Sequence, residues 1–270
     1  MKNIFVSKTW QKINLGILTA IIIISIGIFN YQPIQAQTEE NLPTQFIQWC
    51  QRQNEFSPDI QKVVQLLLNE VQTKDCSQAA KRLTVIRNLN LTSQNISDIS
   101  PLASLTNLRN LQIYNNQISD ISPLRNLTEL THLQLGYNPI ADITPLSELV
   151  NLQFLSLIRT KLTDISALKG LTELRELRLA ENKISNIQPL AGLTNLNRLD
   201  LSHNEISDIT PVQNLTDLLE LDISFNNIRE AKTVLQSLSN LKEVNLIGNP
   251  LPNNVCPLDP NILCIELGLQ

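Results

Sequence analysis

From Ile86 onward the chain repeats itself, and no other feature constrains its fold as tightly. The pattern L-x-x-L-x-L-x-x-N-x-I-S-D-I-S-P-L-x-x-L-T-N returns every 22 residues. Its asparagine position is filled in turn by Gln94, Asn116, Asn138, Thr160, Asn182, Asn204, Asn226 and Asn249, the last step alone being 23. One such unit cannot bury its own apolar positions, so the copies must stack around a single elongated core. In the stretch Leu130 to Leu135, strand alternation sends Leu133 and Leu135 into that core and His132 and Gln134 outward. Asn138 then turns the chain, and its amide can satisfy backbone groups that a buried turn leaves unpaired. Thr160 offers less at that site, which marks the fourth unit as a weak point. The returning segment, Ile140 to Leu146, has room for one helical turn of 3₁₀ type. Ser100, Ser122, Thr144 and Thr210 are expected to cap these turns ahead of Pro101, Pro123, Pro145, Pro189 and Pro211. Asp98, Asp120, Asp142, Asp164 and Asp208 read as turn residues rather than a calcium ladder, because calcium takes roughly six to eight oxygens and each unit supplies one acid.

The ends of the chain differ from the repeats. Lys2, Lys8 and Lys12 precede a 15-residue apolar run from Leu15 to Phe29, and Ile34-Gln35-Ala36 ends in a small residue. This is the layout of a secretory signal peptide over residues 1–36; an uncleaved anchor is the alternative, although the run is shorter than the ~20 residues that span a bilayer. Cleavage after Ala36 leaves 18 basic against 25 acidic residues, a net charge of −7. Such a balance argues against nucleic acid and anionic membrane surfaces as partners. Residues 37–85 carry the signals of a helical cap. Ser57-Pro58 starts a helix with an apolar stripe at Ile60, Val63, Val64, Leu67, Leu68 and Val71. Phe46, Trp49 and Cys50 suggest a helix before it, and Cys76, Ala79 and Leu83 one after it. Residues 252–270 form a second lid. An even set of four cysteines, Cys50, Cys76, Cys256 and Cys264, reads as disulfide-bonded in an exported chain. No metal site and no cofactor is expected, since no CxxC occurs and His132 and His203 lie far from the cysteines.

Segments such as Leu127 to Leu133 and Asn116 to Leu124 resemble the 22-residue leucine-rich repeats of bacterial internalins over about residues 86–251. The Phe46–Trp49–Cys50 cap and the Cys256-Pro257 to Cys264 tail look like those of exported bacterial proteins of this type. The resemblance implies an α/β solenoid: a right-handed leucine-rich-repeat superhelix with a curved parallel β-sheet on its concave face, short 3₁₀ helices on its convex face and an α-helical N-terminal cap. It also implies a protein-binding scaffold whose ligand sits on the concave face, without naming the partner. Residues past 251 show no immunoglobulin-like module or wall-sorting motif, so wall attachment is not part of the expectation. Cytosolic phosphatase-regulating leucine-rich-repeat proteins have similar repeats, but the signal peptide and the cysteines argue against that class.

The concave face is graded. Neutral side chains come first (Asn88, Asn90, Thr92, Asn110, Gln112), aromatic and apolar groups next, and acids last. Candidate partner-binding residues are Tyr114, His132, Tyr137, Phe154, Ile158, Arg178, Arg198, Asp200 and Asp222, because aromatic residues and Arg anchor interfaces. Phe225, beside Asn226, reads as filler at a strand end. No nucleophile–base constellation or phosphate-binding loop occurs, and an open face does not exclude water as a catalytic pocket does. Asp200 and Asp222 lie on adjacent strands and are the nearest thing to a glycosidase-like carboxylate pair. The reading is therefore a non-catalytic, monomeric, secreted or periplasmic scaffold for a protein ligand. The alternative is a surface-polysaccharide-binding or envelope-anchored adhesion module.

Geometry also restricts the disulfides. Eight strands spaced about 4.8 Å apart hold the two caps roughly 34 Å from each other, whereas a disulfide needs Cα atoms within about 7 Å. Cys50 is therefore expected to pair with Cys76, and Cys256 with Cys264. Non-reducing peptide mapping of the monomer should yield only these two cross-linked peptides; a peptide joining the caps would refute the architecture.

Overall fold

The computed structural model describes residues 42–252 and 262–265. The expected signal peptide and Cys256 lie outside them. Nine short strands pair in parallel, in sequence order, as one sheet. They are β1 (Asn88–Asn90), β2 (Asn110–Gln112), β3 (His132–Gln134), β4 (Phe154–Ser156), β5 (Glu176–Arg178), β6 (Arg198–Asp200), β7 (Glu220–Asp222), β8 (Glu243–Asn245) and β9 (Leu263–Ile265). Equivalent residues of successive repeats face one another, as in Leu111↔Leu133 and Leu133↔Leu155. Because the side-chain period of a strand is two, this register stacks every inward leucine into one column; Leu111, Leu133, Leu155 and Leu177 are fully buried. The sequence reading gave eight strands. The ninth comes from the tail, where Leu263 and Cys264 pair with Glu243 and Val244 and extend the sheet under the last repeat. Cys264 is disulfide-bonded, to a partner outside the described residues.

The asparagine ladder has the expected geometry. Asn138 Nδ2 donates to Leu135 O (2.8 Å) in its own turn and to Ile113 O (2.9 Å) of the preceding repeat, while its Oδ1 accepts from Ile118 N (3.0 Å). Asn116, Asn182, Asn204 and Asn226 repeat this arrangement. At Thr160 it fails. The hydroxyl donates to Leu157 O (2.9 Å) and to the next asparagine, Asn182 Oδ1 (3.1 Å), but nothing from residue 160 reaches back to Leu135 O or Ile140 N. Ile140 N closes instead on Asn138 O across Pro139, which has no N–H of its own to give. At the two positions where the ladder lacks its asparagine, Gln94 and Thr160, the next residue (Asn95, Lys161) is driven to positive φ. The seam between the third and fourth repeats is thus stitched mainly by the sheet.

On the convex side the helical turns run 100–104, 122–124, 144–148, 166–170, 188–190 and 210–214, all 3₁₀. Ser and Thr do not cap them. In each, the preceding Asp or Asn accepts from the first backbone N–H of the turn, as Asp142 Oδ1 does from Thr144 N at 2.8 Å and Asp98 from Ser100 N at 2.8 Å. Hydrogen bonds from Thr144 and Thr210 hold the Asp142 and Asp208 carboxyls below the usual carboxylate range. The repeat with the 23-residue step uses its extra residue for a true α-helix, Lys232–Ser237.

The N-terminal cap is helical as expected, with α1 (Leu42–Gln51), α2 (Pro58–Glu70) and α3 (Cys76–Leu83); Lys232–Ser237 is α4. Ser57 caps α2 by accepting from Ile60 N, and Pro58 opens it. The stripe Ile60, Val63, Val64, Leu67 and Leu68 is buried, and Phe46, Cys50, Ala79 and Leu83 close over it. Cys50 and Cys76 are bonded, with Cα atoms 5.7 Å apart. The cap is joined to the first repeat by Lys62 Nζ donating to Asn95 O (3.3 Å) and by a short hydrogen bond from Ser97 to Asp59. No helix among the described residues is long and apolar enough to cross a membrane.

The two kinds of ladder residue should differ in cost. Asn138→Ala strands Ile118 N and Leu135 O in a dry core and is expected to lower stability by about 3 kcal/mol or more, whereas Thr160→Ala leaves Leu157 O still bonded to Asn182 Nδ2 and should cost about 1 kcal/mol. Denaturant unfolding of the two variants measures the difference; equal losses would mean that the ladder is not what secures the turns.

Candidate partner-binding face

Strand residues that point away from the core line up as parallel rows across the sheet. One row runs Asn88, Asn110, His132, Phe154, Glu176, Arg198, Glu220, Glu243, and a second runs Asn90, Gln112, Gln134, Ser156, Arg178, Asp200, Asp222, Asn245. Two residues further along each strand lies a third row: Thr92, Tyr114, Gly136, Ile158, Ala180, Ser202, Ser224 and, after the longer step, Ile247. In the middle of the face Phe154 is half-buried, with the His132 ring stacked on one side (centroids 6.1 Å apart, 15° between planes) and the Arg178 guanidinium 5.5 Å from its centroid. Ile158, half-buried, follows on the same strand. Arg178 is also ion-paired with Glu176 (2.5 Å), and Arg198 with Glu220 (2.9 Å). These pairs are solvent-facing and add little stability; they fix where the guanidinium groups sit.

Asp200 and Asp222 face one another on β6 and β7. Each carboxylate is held by the serine two residues on, Asp200 Oδ1 accepting from Ser202 N and Oγ and Asp222 Oδ1 from Ser224 N and Oγ, and Asp222 Oδ2 accepts besides from Asn245 Nδ2 of β8. Like charges directly opposed across a sheet are destabilising, so these acids are positioned at some cost to the fold. A carboxylate pair that shares its oxygens with serine donors is a fixed acceptor surface. Among the described residues, no group of three or more metal-ligating side chains gathers here or elsewhere.

A fourth column lies at the edge of the face, where each strand ends. Ser93, Asn115, Tyr137, Arg159, Glu181, His203, Phe225 and Gly248 all have positive φ, between 52° and 74°. From Ser93 to Phe225 their backbone N–H groups donate to the next repeat, as Tyr137 N does to Ile158 O (2.8 Å) and Phe225 N to Ile247 O (2.6 Å). Left-handed backbone is costly for residues with a Cβ, and these inter-repeat bonds hold it in place. Side chains in the column interact in sequence: Arg159 sits 5.4 Å over the Tyr137 ring, reaches Glu181 at 3.5 Å, and His203 stacks on Phe225 with centroids 4.3 Å apart.

Comparison with known proteins gives the family. The profile for leucine-rich repeats in two copies matches five overlapping windows from residue 84 to residue 214. Internalin C2 of Listeria monocytogenes is 33% identical over 76% of this chain and 92% of its own, with a TM-score of 0.68. The chain belongs to the internalin-like leucine-rich-repeat proteins. Internalin F of Listeria monocytogenes is 35% identical over 70% of this chain with a TM-score of 0.66, and the match spans 56% of the internalin F structure. The plant peptide hormone receptor RGFR1, solved in complex with RGF2, is 29% identical over 57% of this chain and 27% of its own, with a TM-score of 0.52. No curated protein matches the chain by sequence.

Within this internalin-like frame the expected site residues fall into separate groups. His132, Phe154 and Arg178 come together at the centre, and Arg198, Asp200 and Asp222 lie beyond them on the same face. Tyr137 belongs to the edge column and not to the concave rows. It meets Tyr114 at 4.9 Å between centroids, and burial, with the neighbouring Tyr137 second, pushes the Tyr114 hydroxyl above its usual pKa. Phe225, 48% exposed, packs at its strand end on His203 and on the bare backbone of Gly248. Two glycines were missed by sequence reasoning. A Cβ on Gly136 would stand 3.4 Å from Tyr114 Cδ2, and one on Gly248 2.6 Å from Phe225 Cδ1, so in both places an aromatic ring lies on a glycine one repeat further on. The signal was present as Tyr114/Gly136 and Phe225/Gly248, one repeat apart, but it is visible only when rows are aligned across repeats.

Three alanine substitutions grade these contacts. Gly248→Ala adds a clash to a left-handed backbone and should cost more than about 1 kcal/mol. Gly136→Ala is expected to cost less but to change the near-ultraviolet circular dichroism of the tyrosines. Gly170→Ala, with open space around it, should be neutral. Thermal unfolding that ranks Gly170→Ala below Gly248→Ala would contradict the assignment.

Proposed function

We propose that this protein is a non-catalytic, exported scaffold that binds a protein partner through the middle and C-terminal half of its concave face. One observation carries the reading: Phe154 stands between His132 and Arg178 at the centre of an open sheet face. An aromatic ring flanked by an immobilised guanidinium and set among near-neutral contacts is the composition of an interface anchor. The face beyond it sets Arg198 among the acids Asp200, Glu220, Asp222 and Glu243, which gives a partner register as well as adhesion. Support from relatives is of the same kind: the RGFR1 structure is a complex with RGF2. Export and the cleavage of residues 1–36 are part of the proposal and follow from the charge and apolar pattern of that segment.

Affinity capture from the native secretome or envelope tests it. Phe154→Ala and Arg178→Ala should each weaken capture of a protein by about 30-fold or more, the equivalent of roughly 2 kcal/mol, with little change in melting temperature. Lys169→Ala, on the convex side, should leave capture unchanged. Loss of binding on the convex substitution alone would place the interface on the wrong face, and glycan turnover abolished by Asp200→Asn would replace the scaffold reading with an enzymatic one.

A further inference from the structure

The first three strands differ in chemistry from the rest of the sheet. Their nine outward positions are Asn88, Asn90, Thr92, Asn110, Gln112, Tyr114, His132, Gln134 and Gly136, with no Asp, Glu, Lys or Arg among them. From β5 to β8 the same rows carry Glu176, Arg178, Arg198, Asp200, Glu220, Asp222 and Glu243. Two cations beside the neutral third are turned elsewhere, Arg87 toward Thr84 O and Ile86 O and Arg109 toward Glu129, and Arg159, over the Tyr137 ring at the edge, is paired with Glu181. A charged partner segment finds no charged side chain among these nine positions to complement it.

The amides of this third are also unengaged. Asn90 Oδ1 accepts from Thr92 N (2.9 Å); among the described residues, the side chains of Asn88, Asn110, Gln112 and Gln134 make no hydrogen bond to the protein. Gln112 and Gln134 are directly opposed on β2 and β3. Each primary amide presents donor and acceptor together in one plane, whereas a carboxylate only accepts and a guanidinium only donates. A group that both donates and accepts at adjacent positions, such as a pair of vicinal hydroxyls, matches an amide better than it matches either charged side chain.

Beside the amides is a flat apolar surface. Tyr114 leans across Gly136, with Cδ2 3.4 Å from the place a Cβ would occupy, and Tyr137 packs against it at 4.9 Å. Backbone supports one side of the ring, and the residue remains half-exposed. An aromatic face of this kind attracts the weakly positive C–H groups of a saturated ring. The spacing agrees, since strands recur about every 4.8 Å, close to the advance of one pyranose unit along an extended polysaccharide.

We propose that β1–β3 form a subsite for a neutral polysaccharide, with Tyr114 as the stacking platform and Gln112 and Gln134 as the hydroxyl-reading groups. Its reading groups Tyr114, Gln112 and Gln134 are separate from the protein-binding anchor proposed above, which shares only His132 of the bordering strand, and either can fail without the other.

Affinity electrophoresis of the full chain in gels containing dextran, glucomannan or hydroxyethylcellulose, with polygalacturonate as the anionic control, tests it. At least one neutral polymer should retard the protein and polygalacturonate should not. Gln112→Ala/Gln134→Ala should reduce retardation at least fivefold, as should Tyr114→Ala, while Tyr114→Phe retains it. Arg178→Ala should leave retardation unchanged, which separates this site from the protein-binding one. The double glutamine variant, altered only at outward positions, decides the matter if Tyr114→Ala does not fold. No retardation by any neutral polymer, equal retardation by polygalacturonate, or full retardation of the double variant overturns the proposal.

Discussion

A coil of 22 residues must turn its backbone inside an apolar core, where an unpaired carbonyl or N–H costs about 1–3 kcal/mol. The primary amide of one asparagine per turn meets that demand. It donates to carbonyls of its own turn and of the turn before, and accepts from a backbone N–H of the turn before. Every bond to the preceding turn locks two repeats in register, so the same group that permits the bend also propagates the stack. The columns of buried leucine and isoleucine, the alignment of outward rows and the parallel sheet all depend on this repeat-to-repeat registration. Where threonine stands in for asparagine, the buried groups are still satisfied, but locally, and the two neighbouring repeats lose a connection.

The outward chemistry is a consequence of that register. Because equivalent positions lie side by side, a single substitution in one repeat acquires two fixed neighbours. His132, Phe154 and Arg178 come from three different strands and touch only because the repeats are in step. The same holds for the acids of β6 and β7, which the sheet sets opposite each other despite their repulsion. Serine hydroxyls two residues on hold these carboxylates in place.

Most of the fold was legible from the sequence because a period of 22 residues with fixed leucine positions leaves one packing solution. The helical cap and the Cys50–Cys76 bond followed from local stripes and from the distance between the ends. What was not legible depended on groups that do not repeat. The strand at Leu263–Ile265 lies beyond the last repeat and lacks its pattern. The capping role passed from Ser100 or Thr144 to Asp98 or Asp142 because the aspartate, two residues before the turn's first N–H, reaches it with its carboxylate. Of the candidate residues, His132, Phe154 and Arg178 lie in the outward rows their strand positions imply, while Tyr137 sits in the edge column. Extended backbone would have put it among the rows, and its left-handed φ turns its side chain to the edge.

That edge column holds Ser, Asn, Tyr, Arg, Glu, His and Phe at seven equivalent places with nearly the same backbone. Main-chain bonds from one repeat to the next impose the conformation, and no particular side chain is asked to help. Identity at these positions is therefore decoupled from the architecture. The solenoid carries along one flank a strip of sites whose chemistry can drift or be selected freely while the scaffold beneath stays the same.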